Sequence, residues 1–261
     1  MGVGWRYALI GAIGFGMASY SVIIIEAGHN SKAHAMAYMA PEIGSILLTY
    51  KGRYLLGSAL LALFLSLELA TNHLQITYYL LLVVLILGAV KLVYAIKSGE
   101  LPNFMKATGL MVVAALIAVG PNISALWTTA DYGEETMRGK SELSSKQESS
   151  GLDKDYAMRW SYGVAETFTL LIPNFMGGSS QGSLDEKSDV YTTMVDKGIP
   201  KNQAKGIIAN LPLYWGTQPF TSGPVYLGAI ICFLAMLGFL VIEAKNRWWL
   251  IGAFLLSIML S

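Results

Sequence analysis

The stretch Ile76-Thr-Tyr-Tyr-Leu-Leu-Leu-Val-Val-Leu-Ile-Leu-Gly-Ala-Val-Lys-Leu-Val-Tyr-Ala-Ile96 decides the fold class, because Lys91 is its only charged residue. A helix rises 1.5 Å per residue, so an apolar run of about 20 residues crosses the ~30 Å hydrocarbon core of a bilayer. Similar runs lie on both sides of it. Reading outward, the spans are Trp5–Ile25, Ala33–Tyr50, Tyr54–Ala70, Ile76–Ile96, Phe104–Gly120, Val225–Ile242 and the run beginning at Trp248. The second is less apolar and carries Pro41 and Glu42, so a re-entrant helix is the other reading of that segment. Composition agrees with many spans: 54% of the residues are hydrophobic and 13% charged, against about 25% charged in an ordinary soluble domain.

The first run is longer than the apolar region of a signal peptide, and no small-residue cleavage pattern follows it. The chain enters an apolar run almost at Met1 and stops within Trp248–Leu260, the pattern expected of a piece of a longer polytopic protein. The single cysteine, Cys232, lies inside an apolar run, where it reads as a small filler and forms no internal disulfide. A net charge of +1 gives no footprint for nucleic acid.

The cations orient the spans. With a cytoplasmic N-terminus, Arg6, Lys51, Arg53, Lys91, Lys97, Lys106, Lys245 and Arg247 fall on the cytoplasmic side, and the short loops opposite hold only Lys32. Trp5, Tyr54, Trp127, Tyr226, Trp248 and Trp249 mark span ends in the manner of an aromatic belt. Residues 121–223 then form a long external loop. Its Asp131–Asp155 part is rich in Ser, Glu and Lys, whereas Trp160–Phe175 and Ile207–Phe220 are aromatic enough to pack on something. Short helices are expected at Ala165–Leu171 and Leu184–Lys197. The fold class is therefore all-α polytopic transmembrane, with about seven membrane helices and one long external loop region of mixed short helix and coil. Helices one to five occupy residues 1–120, the loop 121–223, and helices six and seven 224–261.

This topology puts His29, His34 and His73 on the external side. Glu26 and Lys32 join the first two, and Glu68, Asn72 and Gln75 join the third. Glu68 and Asn72 are one turn apart and share a helix face. Carboxylates within membrane spans, here Glu42 and Glu68, usually face the bundle interior or a wet cavity and mark function; a structural hydrogen bond within the bundle is the other reading of each. Loop histidines and a loop glutamate are also common as merely solvated groups. Glu26, His29, His34 and His73 are donor types that suit a divalent metal, but His29 and His34 lack the i, i+4 spacing of a helical zinc motif, so no metal or other cofactor is assigned. Gly177-Gly178-Ser179-Ser180 lacks the context of a phosphate loop. Asn122-Ile123-Ser124 matches a glycosylation sequon, a pattern frequent by chance.

Several segments together resemble one family. They are Ile25-Glu-Ala-Gly-His-Asn-Ser-Lys-Ala-His34 with Met39-Ala-Pro-Glu42, Asn72-His-Leu-Gln-Ile-Thr-Tyr78, Arg138-Gly-Lys-Ser-Glu142, Gly151-Leu-Asp-Lys-Asp155 and Gln218-Pro-Phe-Thr-Ser-Gly-Pro224. Over most of its length the chain resembles the YfhO-like bacterial membrane proteins of the Bacteroidetes type, which are related to polytopic glycosyltransferases of the GT-C class. The resemblance implies residence in the bacterial inner membrane. It also implies transfer of a sugar from a polyprenyl-phosphate donor to a cell-envelope acceptor on the external face. That class places its catalytic acid residue in the first external loop, and the loop in that position here is Glu26–His34. On this reading Glu26 and His29 are the catalytic candidates, and Lys32, His34, Glu68, Asn72, His73, Gln75, Arg138 and Lys140 bind substrate. The expected partners are membrane lipid, the lipid-linked donor and the envelope acceptor. A transporter or flippase of an envelope lipid, and a non-catalytic membrane scaffold, are the rival readings.

Overall fold

The computed structural model describes residues 4–134, 136, 158–221, 223 and 225–260. Its helices are α1 (Trp5–Gly16), α2 (Ser19–Glu26), α3 (Asn30–Tyr50), α4 (Tyr54–Ala70), α5 (Leu74–Ser98), α6 (Leu101–Val119), α7 (Ile123–Glu134), α8 (Asp189–Asp196), α9 (Lys201–Ile208), α10 (Ala229–Val241) and α11 (Ala244–Leu260). Short 3-10 turns cover Gly120–Asn122 and Ala165–Leu170. No strand forms among the described residues; isolated bridges join Gly177 to Tyr214 and Gly182 to Leu211.

Three helical segments are long and apolar enough to cross a membrane: Trp5–Glu26, Leu74–Ser98 and Leu101–Gly133. Tyr54–Ala70 and Ala229–Val241 are apolar but shorter. The other two expected spans are helical without meeting that standard. Lys32, His34 and Glu42 dilute α3, and Lys245, Asn246 and Arg247 open α11. The first span is also interrupted, since Ala18 leaves helical geometry at ψ 136° between α1 and α2. Past position 121 the chain continues as helix rather than loop, through the 3-10 turn into α7. Pro121 permits this because it occupies a first helical turn, where its missing N–H has no role. The expected 165–171 helix is the 3-10 turn, the 184–197 helix is the shorter α8, and α9 follows unannounced.

The contacts divide the chain into two units. The first contains α1, α3 to α7 and α11. Here α3 packs chiefly on α4, α4 on α6, and α5 on α11 and α6. Its core joins Ile46, Leu61, Leu87, Ala114 and Trp249. The burial pattern is inverted relative to a water-soluble protein. Ala107, Ala114 and Ala118 are buried along α6, whereas Val112, Val113, Leu116 and Ile117 on the same helix are more than half exposed. Small residues let helices approach, and the large aliphatic ones are left for the acyl chains. The α3–α4 crossing is the tightest case. A Cβ on Gly57 would stand 2.2 Å from Thr49 Oγ1, 2.7 Å from Thr49 N and 2.9 Å from the Ser45 carbonyl oxygen. Gly52, at φ +86°, turns the chain between these two helices.

The second unit contains α2, α8, α9, the N-terminal part of α10 and the irregular chain between them. Ser188 caps α8, accepting from the Tyr191 N–H at 3.3 Å. Tyr191, Ala204 and Ile208 form a small core between α8 and α9. Ser19 ties α2 to the chain ahead of α10, donating to the Tyr226 carbonyl at 2.7 Å and accepting from the Tyr226 N–H at 2.8 Å.

Candidate functional site

In the first unit, α3 and α4 are joined by the short turn at Lys51–Arg53 and run antiparallel. The start of α3, the end of α4 and the start of α5 therefore share one end. Lys32, His34, Glu68, Asn72, His73 and Gln75 belong to that end. Lys32 is half-buried in the first turn of α3, His34 is exposed one turn further on, and His29 is exposed at the residue preceding α3. Several expected substrate-binding groups have structural partners. The Asn72 amide donates to Thr129 Oγ1 at 3.0 Å and accepts from it at 3.2 Å, which fastens the α4–α5 turn to α7. Gln75 donates to the Tyr79 hydroxyl at 3.0 Å. Glu26, in the second unit, is exposed at the last position of α2. Arg138 and Lys140 lie outside the described residues. Among the described residues no three of His, Cys, Asp and Glu gather closely enough to hold a metal ion. Glu26, His29, His34 and His73 therefore do not form the metal set whose donor types the sequence offered.

The two carboxylates within the spans stand out. Glu68 is 0% exposed, and the Thr77 hydroxyl faces both of its oxygens at 2.9 Å. Glu42 is 3% exposed, and its Oε1 has no hydrogen-bonding partner. The two side chains lie within electrostatic reach of each other. Pro41 precedes Glu42 inside α3, and Ser45 Oγ donates to the Pro41 carbonyl at 2.7 Å. The Thr49 hydroxyl repeats this pattern one turn on, donating to the Ser45 carbonyl at 2.9 Å. Polar α3 side chains are thus turned inward, which is why the helix is poor in apolar residues and still packs.

Glu42 and Thr77 line a cavity of about 530 Å³ between α3, α4, α5 and α6. Its walls are otherwise apolar, including Leu65, Leu81, Val84 and Met111. At its far end Tyr50 and Thr108 hydrogen-bond at 3.2 Å. The volume falls within the range of small-molecule sites. A second cavity of about 380 Å³ lies at the opposite end of the unit, where Lys51, Lys91, Lys245 and Glu100 meet.

The second unit is organised by a residue that sequence reasoning missed. Glu166 is 2% exposed and accepts from the Gly163 N–H, the Tyr214 hydroxyl, the Thr217 N–H at 3.2 Å and the Thr217 hydroxyl at 2.8 Å. Gly216 is required beside it, since a Cβ there would overlap the carboxylate. Burial, with Tyr20 and Glu166 nearby, pushes the Tyr162 phenol up to about 12. An acidic residue inside the aromatic stretch Trp160–Phe175 was the available signal. Asn122, whose sequon match reads as a pattern frequent by chance, is also a structural residue. Its amide is buried and donates to the carbonyls of Ser66 and Ala118, each at 3.0 Å, which closes the sequon to modification.

Fold and site together define a helical membrane protein with buried carboxyls inside its helix unit. No family model matches the chain, and neither a curated protein nor a solved structure matches it.

Proposed function

We propose that this is a bacterial inner-membrane protein that acts on a membrane-borne substrate. Sugar transfer from a polyprenyl-phosphate donor to an envelope acceptor at the external face is the leading reaction. The observation that carries the membrane-borne substrate is the cavity of about 530 Å³ between α3 and α6, apolar in its walls and carrying Glu42 and Thr77. The sugar-transfer chemistry is supported by the family-like segments around Glu26–His34 and Asn72–Tyr78. In this reading about seven helices cross the membrane, the N-terminus is cytoplasmic and the chain after α7 is external. A carboxylate from the Glu26–His34 loop, Glu26 itself, takes the proton of the acceptor hydroxyl. The acceptor oxygen attacks the anomeric carbon and the lipid phosphate leaves with the bonding pair. Lys32, His29, His34 and Arg138 supply the positive charge that favours its departure.

Transport of an envelope lipid is the second reading. It is favoured by one specific observation, the Glu42 carboxyl buried deep in α3 with its Oε1 lacking a hydrogen-bonding partner. The test is an assay of membrane vesicles containing the protein with a radiolabelled polyprenyl-phosphate sugar. Label passing to an envelope acceptor, and falling by about a hundredfold or more in Glu26→Gln, supports transfer. Label that crosses the membrane without changing its carrier supports transport and removes the transfer reading.

A further inference from the structure

We propose that the cavity at the Lys51 end of the first unit binds the phosphate head of a membrane phospholipid, with an acyl chain lying in the groove beside it. The larger cavity, with Gly88 on its wall, offers mainly apolar surface. The smaller one, of about 380 Å³, offers charge: Lys51, Lys91 and Lys245 stand on its wall against one carboxylate, Glu100.

These cations are short of partners. Among the described residues Lys245 pairs with Glu243 at 2.8 Å, and neither Lys51 nor Lys91 is in an ion pair. Lys91 lies within electrostatic reach of both other lysines and of Glu243. Ammonium groups gathered around one space repel one another. A phosphate entering that space relieves the repulsion and offers acceptor oxygens for charge-assisted bonds.

Lys91 is the informative member. It is the only charged residue of Ile76–Ile96, and it stands about two turns before the end of α5, a helix long and apolar enough to cross a membrane. A cation within a span is costly and by default marks function. Its compensation from the protein is slight: the half-buried ammonium reaches Asn246 Oδ1 at 3.4 Å. That contact leaves the N–H groups of the Asn246 amide, also on the cavity wall, to donate elsewhere. The first turn of α6 opens onto the same space through Asn103, with no side-chain cap on its N–H groups, and adds positive potential.

The groove supplies the second half of the ligand. Tyr94 belongs both to the cavity and to an adjoining groove of about 320 Å³ walled by Ala89, Val90, Val93 and Trp248. A lipid whose head enters the cavity has this apolar path for a chain. A free phosphate uses the cavity alone and gains nothing from the groove. The cavity lies at the opposite end of the unit from Lys32, His34 and Asn72, so the inference and the sugar-transfer reading fail separately.

The experiment is native mass spectrometry of the purified full chain with dioleoylphosphatidylglycerol, alone and in competition with equal dioleoylglycerol or inorganic phosphate. The expected result is one saturable phosphatidylglycerol adduct that neither competitor displaces. Its affinity falls about fivefold or more in Lys91→Gln and in Lys51→Gln. It falls as far in Val93→Trp, which fills the groove and keeps every cation. Lys106→Gln is the control and leaves it unchanged: Lys106 sits over the Tyr54 ring at 4.6 Å, off the cavity wall, and its loss removes the same charge. Lys51 is exposed, so an unchanged melting temperature of Lys51→Gln guards against simple misfolding. The proposal is overturned if no saturable lipid adduct forms, or if Lys106→Gln weakens it as far as Lys91→Gln and Lys51→Gln do. It is overturned equally if dioleoylglycerol displaces the lipid, or if inorganic phosphate does, which makes the occupant a soluble phosphate.

Discussion

Thr77, near the start of α5, directs its hydroxyl at both oxygens of Glu68 on α4, at 2.9 Å each, so a single side chain holds a fully buried carboxyl in place. Thr77→Val keeps the shape and removes the donor. A buried acceptor left without its partner costs about 1–3 kcal/mol. Unfolding of the variant in detergent is expected to occur below the wild-type midpoint by that amount. Thr77→Ser, which keeps the hydroxyl, is expected to recover most of it. Equal stability of all three proteins contradicts the role given to this bond.

The α3–α4 crossing makes a second prediction. Gly57→Ala places a methyl group 2.2 Å from Thr49 Oγ1 and 2.7 Å from Thr49 N. Removing the hydroxyl relieves only the first contact, so Thr49→Ala is not expected to rescue Gly57→Ala. Overpacking of a tight helix contact costs about 1–3 kcal/mol, readable as a lowered melting midpoint. Gly44→Ala on α3 is the control, because a Cβ there meets nothing within 4 Å.

Glu166 supports the irregular chain of the second unit by accepting from Gly163, Tyr214 and Thr217. Glu166→Ala leaves those donors without an acceptor, and losses of more than about 3 kcal/mol follow from breaking such a buried network. Limited proteolysis is expected to cut residues 158–223 in the variant under conditions that leave the wild type whole. Helical content of the spans is expected to persist.

Tyr162 sets an alkaline limit for the same unit. Its phenol is held up at about 12, above the ordinary value near 10. The folded state keeps the proton that the unfolded state gives up, so stability is intact below about pH 10 and falls as pH rises from about 10 to 12. Melting followed across that window is expected to show a smaller decline in Tyr162→Phe than in the wild type.

The sequence revealed the helices most clearly where apolar runs were uninterrupted. The run Tyr54–Ala70 is α4 as read, and Ile76–Ile96 lies within α5 at Leu74–Ser98. At Pro121, expected to open the loop region, α6 has ended at Val119 and a 3-10 turn that needs no N–H from the proline leads on into α7. Of the expected spans, α3 falls short of the length-and-apolarity standard because it turns Glu42, Ser45 and Thr49 inward and so need not be apolar throughout. Glu42 and Glu68 were legible as carboxyls within spans. Their surroundings were not, because the cavity is built by four helices and no local pattern records it. Glu166 stayed hidden for the same reason: its partners Tyr214 and Thr217 are 48 and 51 positions away.

The most direct test of a membrane-buried acidic cavity is carbodiimide labelling of Glu42 in native membranes, read by mass spectrometry of its peptide. The account predicts modification by a lipid-soluble carbodiimide, none by a water-soluble one, and loss of labelling in Gly88→Leu. Equal labelling by the water-soluble reagent, or the same labelling when the cavity is filled, contradicts it.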